Sequence, residues 1–372
     1  MTWLTQALDH PIGWERLAST FPHPAAMAAC PQDWIHHGEG DVWTHTRRVV
    51  EALHCDRDYP CLPPSRQRVL NLAALLHDIA KPLTTREEWD ASENRMRIRQ
   101  PGHARLGARM AWQELAREGF ERSERLAVYW LIAWHIKPFH LWNEPDMERR
   151  AIIFSLVGNW HELLMLARAD NRGRLSPNVA ATEEQFALLT LWLEEQGLLR
   201  SAYAFADDAS RREYLEKPGR SPHYAAQPPR GSRVIVLAGL PGAGKDSYAR
   251  ATFPQIPIVS LDAIRERMEV EPEDDQGRVI QAALERAREH LRAKRDFIWN
   301  ATNITISRRE KIIGLARAYD AHVAIHAIDT PLATILRQNR QRERIVPQRV
   351  IENLAGKWEP PSVLEAHEVV WV

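Results

Sequence analysis

The sequence carries no net charge: 49 lysines and arginines stand against 49 aspartates and glutamates in 372 residues. A whole-chain basic field is therefore absent, and any polyanionic partner must be held by a local patch. Cysteine is scarce. Cys30, Cys55 and Cys61 are odd in number and lack metal-binding spacing, which argues against a disulfide framework and fits a reducing cytosol. The longest apolar runs, such as Leu126 to His135 and Val234 to Leu240, fall well short of the roughly 20 residues that a membrane span needs. No signal peptide opens the chain, so a cytoplasmic protein without a membrane partner is expected. Internal repeats and low-complexity tracts are also lacking. What the chain does have is 44% hydrophobic and 26% charged residues, enough to build a core in each of about two domains.

From Trp3 to about Phe205, Ala, Leu, Trp and Arg recur at three-to-four spacing with no run of alternating β-branched residues. This predicts an all-α half. Separate helices are expected at Val42 to Leu53, Arg68 to Leu76, Ala104 to Glu118, Arg125 to Ile136, Ile152 to Asp170 and Glu183 to Glu195. Residues 206–231 turn polar and collect Pro218, Gly219, Pro222, Pro228, Pro229 and Gly231, the texture of a linker between a domain at 1–205 and another at 232–372. Beyond it, short β-branched strands at Arg233 to Leu237, Ile256 to Ser260, Phe297 to Trp299 and Val323 to Ile328 alternate with helical stretches. That alternation predicts an α/β domain with a mainly parallel sheet.

The first of these strands runs directly into Gly239-Leu240-Pro241-Gly242-Ala243-Gly244-Lys245-Asp246-Ser247, and a helical pattern follows. Strand, glycines, lysine and helix together make a P-loop, in which backbone N–H groups turn inward around phosphate oxygens and the lysine meets the outer phosphates. ATP or another NTP with Mg2+ is the expected ligand. Asp246 takes the place of the usual magnesium-binding Ser or Thr. It reads equally as a hard oxygen ligand for magnesium and as an acid favoured in a first helical turn, and Ser247 lies about a quarter-turn further on.

Asp262, in Ser260-Leu261-Asp262-Ala263-Ile264-Arg265, follows the second strand with an arginine one helical turn on. Both would face the nucleotide crevice, where a carboxylate can take the proton of an acceptor hydroxyl and an arginine can grip an acceptor phosphate. An N-cap followed by a surface arginine is the plainer reading of that pair alone. Asn300-Ala301-Thr302-Asn303 closes the third strand, and Arg337, Arg340, Arg342 and Arg344 lead into Val346-Pro347. Such a run is either a solvated helix face or a lid whose cations stabilise charge developing on the transferred phosphoryl group.

Together the P-loop, Asp262-x-x-Arg265, the Asn300 to Asn303 turn with Arg308 and Arg309 behind it, and the arginine run before Val346-Pro347 resemble the polynucleotide 5′-hydroxyl kinases over residues 232–372. The resemblance implies that Lys245 binds phosphate, that Asp262 is the general base, that Arg265 contacts the acceptor phosphate, and that Arg337 or Arg340 acts from the lid. Gly239, Gly242, Ala243, Gly244, Asp246, Ser247 and Arg344 would complete the nucleotide-binding set. One departure is visible: kinases of this group carry an acid at the end of the third strand, where this chain has Asn300.

In the helical half, His77-Asp78 follows the helix Leu70 to Leu76. His45 lies on an earlier helix, His103 begins a later one, His135 ends another, and Asp170 closes Leu166-Ala167-Arg168-Ala169-Asp170. Any one of the 16 histidines is more simply an ordinary hydrogen-bonded residue. As an ordered set on five helices, however, they could hold two divalent transition metals with Asp78 as a bridge, an arrangement that clamps a phosphate and generates hydroxide.

This set resembles the HD superfamily of metal phosphohydrolases over about residues 34–175. His36-His37-Gly38-Glu39-Gly40-Asp41-Val42-Trp43-Thr44-His45 is similar to the segment that opens the HD domain of bacterial tRNA nucleotidyltransferases. That likeness implies His45, His77, Asp78 and Asp170 on one metal, and His103, His135 and Asp78 on the other, with His37, Glu39 and Lys81 around them. The two halves in this order resemble the bacterial HD-Pnk RNA end-healing enzymes. Implied is removal of 2′,3′-cyclic or terminal 2′/3′ phosphates by the first half and 5′-hydroxyl phosphorylation by the second, on RNA or DNA ends that a ligase then seals. A nucleoside or sugar kinase fused to a nucleotide phosphohydrolase, and a nucleotide-sensing regulator, are the alternatives.

Overall fold

A computed structural model of the chain describes residues 3–7, 12–271, 274–342 and 345–372. It separates into two compact units, Met1–Tyr203 and Ala204–Val372.

The first unit is built from helices around two buried segments. Pro64–Leu76 buries every residue from Val69 to Leu76, so it forms the centre of the unit rather than a face of it. Val42–His54 buries Val42, His45, Thr46, Val49, Val50 and Leu53, one continuous stripe at helical spacing. The side chain of Asp41 caps it by accepting a hydrogen bond from Thr44 N at 2.8 Å. Two sequence expectations are corrected here. The stretch 152–170 is two helices, Met147–Ser155 and Trp160–Gly173, because Asn159 takes an extended conformation and accepts from Glu162 N to cap the second. The helical unit also carries an antiparallel hairpin, β1 (Arg86–Asp90) and β2 (Arg95–Arg99). Its strands are mostly charged and are held by pairs such as Arg97 to Asp90 and Arg99 to Asp90, so no apolar alternation announced it.

In the second unit a parallel sheet of five strands has the order β4-β5-β3-β6-β7. These are β3 (Arg233–Ala238), β4 (Ile258–Ser260), β5 (Phe297–Asn300), β6 (His322–Ala327) and β7 (Glu368–Trp371). β3 lies between β5 and β6, with residues 234–238 buried, which explains its continuous Val-Ile-Val-Leu-Ala run. Chain order reverses about β3, and this places the crevice for a ligand at the carboxyl ends of β3 and β5. β7, at the sheet edge, was not expected. Within 206–231, Asp208–Glu216 is a helix, capped by Asp207, and Arg212 Nη1 donates to Leu364 O at 2.7 Å in the same unit.

Candidate functional sites

The six His and Asp residues expected to bind metal converge in the first unit. His45, His77, Asp78, His135 and Asp170 are buried and His103 is half-buried. Three imidazoles are fixed in the same way: His77 Nδ1 donates to Ala74 O at 2.8 Å, His103 Nδ1 to Gln100 O at 2.6 Å, and His135 Nδ1 to Ile132 O at 2.7 Å. A carbonyl can only accept, so each Nδ1 carries a hydrogen and each Nε2 is the nitrogen that faces the cluster and can give a lone pair to a cation. Those lone pairs surround one carboxylate. Asp78 Oδ2 lies 3.1 Å from His77 Nε2 and 3.8 Å from His45 Nε2. Asp78 Oδ1 lies 3.4 Å from His103 Nε2 and 3.7 Å from His135 Nε2. Asp170 Oδ1 completes the first group at 3.1 Å from His45 Nε2.

This set fits cations on grounds internal to the site. Both Asp78 oxygens and His77 Nε2 are buried without a hydrogen-bond partner, although Lys81 Nζ approaches Asp78 Oδ2 to 2.7 Å. His103 and His135 bring their Nε2 atoms to 3.3 Å of each other, where two lone pairs repel unless a positive charge lies near them. A proton does not serve on His135, because burial, with His103 and His77 beside it, pushes that imidazole down to about 3. Burial works against the Asp78 charge, yet His77 and Lys81 hold its carboxyl well below the usual range. Arg174 and His45 do the same for Asp170 against its own burial. Buried anions ringed by imidazole lone pairs are the donor chemistry of borderline divalent metals.

A surrounding layer orients these groups. Glu39 Oε1 is 2.8 Å from both His37 Nδ1 and His45 Nδ1, and Glu39 Oε2 accepts from Leu175 N at 2.7 Å. Lys81 Nζ donates to Gln32 Oε1 at 2.6 Å, and Arg174 holds Asp170 through Nε and Nη2 at 3.0–3.1 Å. Gln32 and Arg174 were not anticipated. Arg174 stands four residues after Asp170, a spacing that a helical reading could have exploited; nothing local marks Gln32.

In the second unit β3 enters the loop Gly239–Gly244 and the helix Lys245–Thr252. Gly242 and Gly244 have φ of +81° and +96°, a region where a side chain is strained, so the loop depends on glycine there. Lys245 Nζ spans the loop, donating to Gly239 O and Leu240 O at 2.9 Å each. Burial, partly offset by Asp246 and Asp262, lowers its ammonium to about 8. Asn303 Nδ2 donates to Leu237 O, and Gly239 N donates to Thr302 O, which fastens the turn after β5 to the P-loop strand.

Asp262 and Arg265 stand at the carboxyl end of β4 on the helix Leu261–Arg267. The N-cap is Ser260 rather than Asp262, so the aspartate is free for another role. Arg265 Nη1 donates to Asp262 Oδ1 at 2.6 Å and its Nε donates to Gln276 Oε1 at 2.8 Å; Gln276 had no sequence signal. Helix Leu332–Asn339 packs on the P-loop through Ile335 beside Gly242, and Thr330 Oγ1 donates to Ala243 O at 2.9 Å. Arg337, Arg340 and Arg342 are exposed along and after that helix, and Arg342 acts on the charge of Lys245. Arg344 lies outside the described residues. Arg309, behind the turn after β5, is fully buried, donates to Asn303 O and clamps Glu365.

Comparison with known proteins gives two family matches. Residues 42–157 match the HD domain and residues 234–361 an AAA domain. The L-seryl-tRNA(Sec) kinase of Methanococcus maripaludis is 26% identical over 143 residues, 37% of this chain and 56% of that protein. The multifunctional CCA protein of Pseudomonas fluorescens is 28% identical over 173 residues, 43% of this chain and 36% of the relative. That of Halorhodospira halophila is 25% identical over 242 residues, 62% of this chain and 51% of the relative. The chain thus spans at most 56% of the length of these three curated relatives. Among solved structures, a chain of the Pnkp1/Rnl/Hen1 RNA repair complex is 17% identical with a TM-score of 0.33, over 37% of this chain and 46% of that one. A gluconokinase from Sinorhizobium meliloti is 18% identical with a TM-score of 0.29, over 39% and 83% respectively. Taken with the geometry above, the chain joins a helical HD phosphohydrolase domain to a P-loop kinase domain.

Proposed function

We propose that the chain heals broken nucleic-acid ends: the HD domain removes a 2′,3′-cyclic or terminal 2′/3′ phosphate, and the P-loop domain phosphorylates a 5′-hydroxyl with ATP or another NTP. RNA ends are the preferred substrate class, and a ligase that joins the corrected ends is the functional partner. The observation that carries this reading is the pairing of two opposed phosphate chemistries in one chain, a His/Asp cluster around Asp78 and a P-loop with Asp262 and Arg265 at its side. Strand breakage that leaves phosphate on the 3′ side and hydroxyl on the 5′ side calls for both. The name of one curated relative, a kinase of seryl-tRNA, supports an RNA-borne acceptor.

In the kinase half, Lys245 and the loop N–H groups hold the outer phosphates, and the lid arginines Arg337 and Arg340 meet charge that builds on the transferred group. Asp262 takes the proton of the 5′-hydroxyl as its oxygen attacks the γ-phosphorus and the bond to the nucleoside diphosphate breaks. Arg265, drawn from Asp262, holds the phosphate on the 3′ side of the acceptor nucleoside. In the HD half, His45, His77, Asp78 and Asp170 would hold one divalent cation, and His103, His135 and Asp78 the other. Bound there, such a pair would polarise a phosphate ester and supply hydroxide. Lys81, beside Asp78, would neutralise a phosphate oxygen, while Glu39 keeps His45 aimed inward.

The test is direct. Purified protein given labelled ATP should phosphorylate a 5′-hydroxyl oligoribonucleotide, and should release phosphate from oligoribonucleotides bearing a 3′-phosphate. If free nucleosides or sugars prove the better acceptors, the end-healing reading fails in favour of a small-molecule kinase.

A further inference from the structure

Two departures from the usual P-loop pattern meet in space. Asp246 follows Lys245, where a Ser or Thr hydroxyl ordinarily reaches magnesium, and Asn300 ends β5, where an acid ordinarily supplies the second protein group of that shell. The structure joins them: Asn300 Nδ2 donates to Asp246 Oδ1 at 2.6 Å. Asn300 is buried, with 5% exposure, and lies in register beside Leu237 at the end of β3. Its amide is therefore fixed by the sheet. Asp246 is exposed on the first turn of its helix, so the contact ties an exposed carboxylate to a buried amide. Asp246 Oδ2 and Asn300 Oδ1 make no hydrogen bond among the described residues. Ser247, the other candidate, likewise makes no side-chain hydrogen bond among them and is exposed.

We propose that Asp246 and Asn300 form an exchanged magnesium shell, in which the P-loop helix supplies the carboxylate and the end of β5 supplies the neutral group that aims it. This inference rests on the kinase reading above. A hydroxyl with a carboxylate carries one negative charge, and so does a carboxylate with an amide. The exchange thus preserves the charge offered to a divalent cation while moving the anion from strand to loop. It also accounts for Asn300. An acid there would put two carboxylates in hydrogen-bonding distance beside the phosphates, whereas an amide both avoids that repulsion and donates to the ligand it orients.

The experiment measures how much Mg2+ tightens binding of a fluorescent, non-transferable ATP analogue by the full chain, comparing Kd with Mg2+ and with EDTA. Binding rather than turnover is read. Asp246→Thr should lose most of the magnesium enhancement, on the order of tenfold or more, and Asn300→Ala a comparable factor through loss of orientation. The double variant Asp246→Thr with Asn300→Asp, which restores the usual placement, should recover the enhancement to within about threefold of the parent. Affinity in EDTA reports that each variant retains a folded site. Full magnesium enhancement in Asp246→Thr, or loss in that variant without recovery in the double variant, overturns the exchanged shell. Lys245→Ala separates this failure from a deeper one: if it leaves analogue affinity unchanged, the P-loop reading itself falls, and if it abolishes binding, only the metal shell is at issue.

Discussion

Arg265 and Asp262 are paired, with Arg265 Nη1 donating to Asp262 Oδ1 at 2.6 Å and Arg265 Nε turned to Gln276. The residue proposed as base and the residue proposed to grip the acceptor thus restrain each other, and an acceptor phosphate that draws Arg265 away frees the carboxylate. Acceptors with a phosphate after the terminal nucleoside, such as a nucleoside 3′-monophosphate or an oligonucleotide, should therefore be phosphorylated far better than the bare nucleoside. Arg265→Ala should erase much of that preference, with most of the change in KM, while Asp262→Ala should abolish transfer to every acceptor. Equal use of bare nucleosides by the parent enzyme would refute the pairing argument. The check is kcat and KM for the three acceptor types.

Lys245 carries a pH signature. Burial lowers its ammonium from the ordinary lysine range to about 8, against the raising influence of Asp246 and Asp262, so the free protein loses this charge as pH rises through that value. Nucleotide affinity should weaken between about pH 8 and 9.5 as the ammonium deprotonates, because bound phosphate selects the charged form. Lys245→Arg should flatten the profile even if it weakens binding, since arginine stays charged throughout. Lys245→Ala should cost orders of magnitude in phosphoryl transfer and leave phosphate release by the HD domain intact. Fluorescence titration across pH, with the two activities assayed in parallel, decides it.

Removing the Asp78 carboxylate deprives all four imidazoles of their shared neighbour. Asp78→Ala should abolish phosphate release and reduce bound transition metal from more than one equivalent to well below one, as read by elemental analysis. Glu39→Gln should be milder, costing about 10–100-fold in metal affinity through loss of His45 orientation. An Asp78→Ala protein that keeps both its metal and its hydrolytic activity would remove the site from consideration.

Arg309 belongs to stability rather than to catalysis. It is fully buried, donates to both Glu365 oxygens through Nε at 2.6 Å and Nη2 at 3.0 Å, and gives Nη1 to Asn303 O. Burial pushes the Glu365 carboxyl up, with Arg309 pulling it back. Arg309→Met leaves that carboxylate in the interior without its cation, held only by Ser362 N among the described residues, and should destabilise the domain by about 3–5 kcal/mol. Replacing both partners with apolar residues should recover much of the loss. Urea unfolding of the two variants measures the difference.

The parts of this protein that the sequence determined are those whose physics is local or strictly ordered. Nine contiguous residues from Gly239 to Ser247, with β3 before them and a helix after, contain everything that a phosphate loop requires, since backbone N–H direction is set by neighbouring torsions. The His45, His77, Asp78, His103, His135 and Asp170 order was legible because each residue marks a helix or its end. Tertiary structure decided the rest. Which imidazole faces which oxygen of Asp78, and the hold of Gln32 on Lys81, depend on packing between segments up to 125 residues apart, and no spacing encodes that. The hairpin of β1 and β2 escaped notice because ion pairs rather than apolar alternation hold its strands. Asp246 and Asn300 each read alone as a defect in a motif. Fifty-four residues separate them, and only the parallel register of β5 beside β3 brings the amide to the carboxylate and turns two departures into one hydrogen-bonded pair.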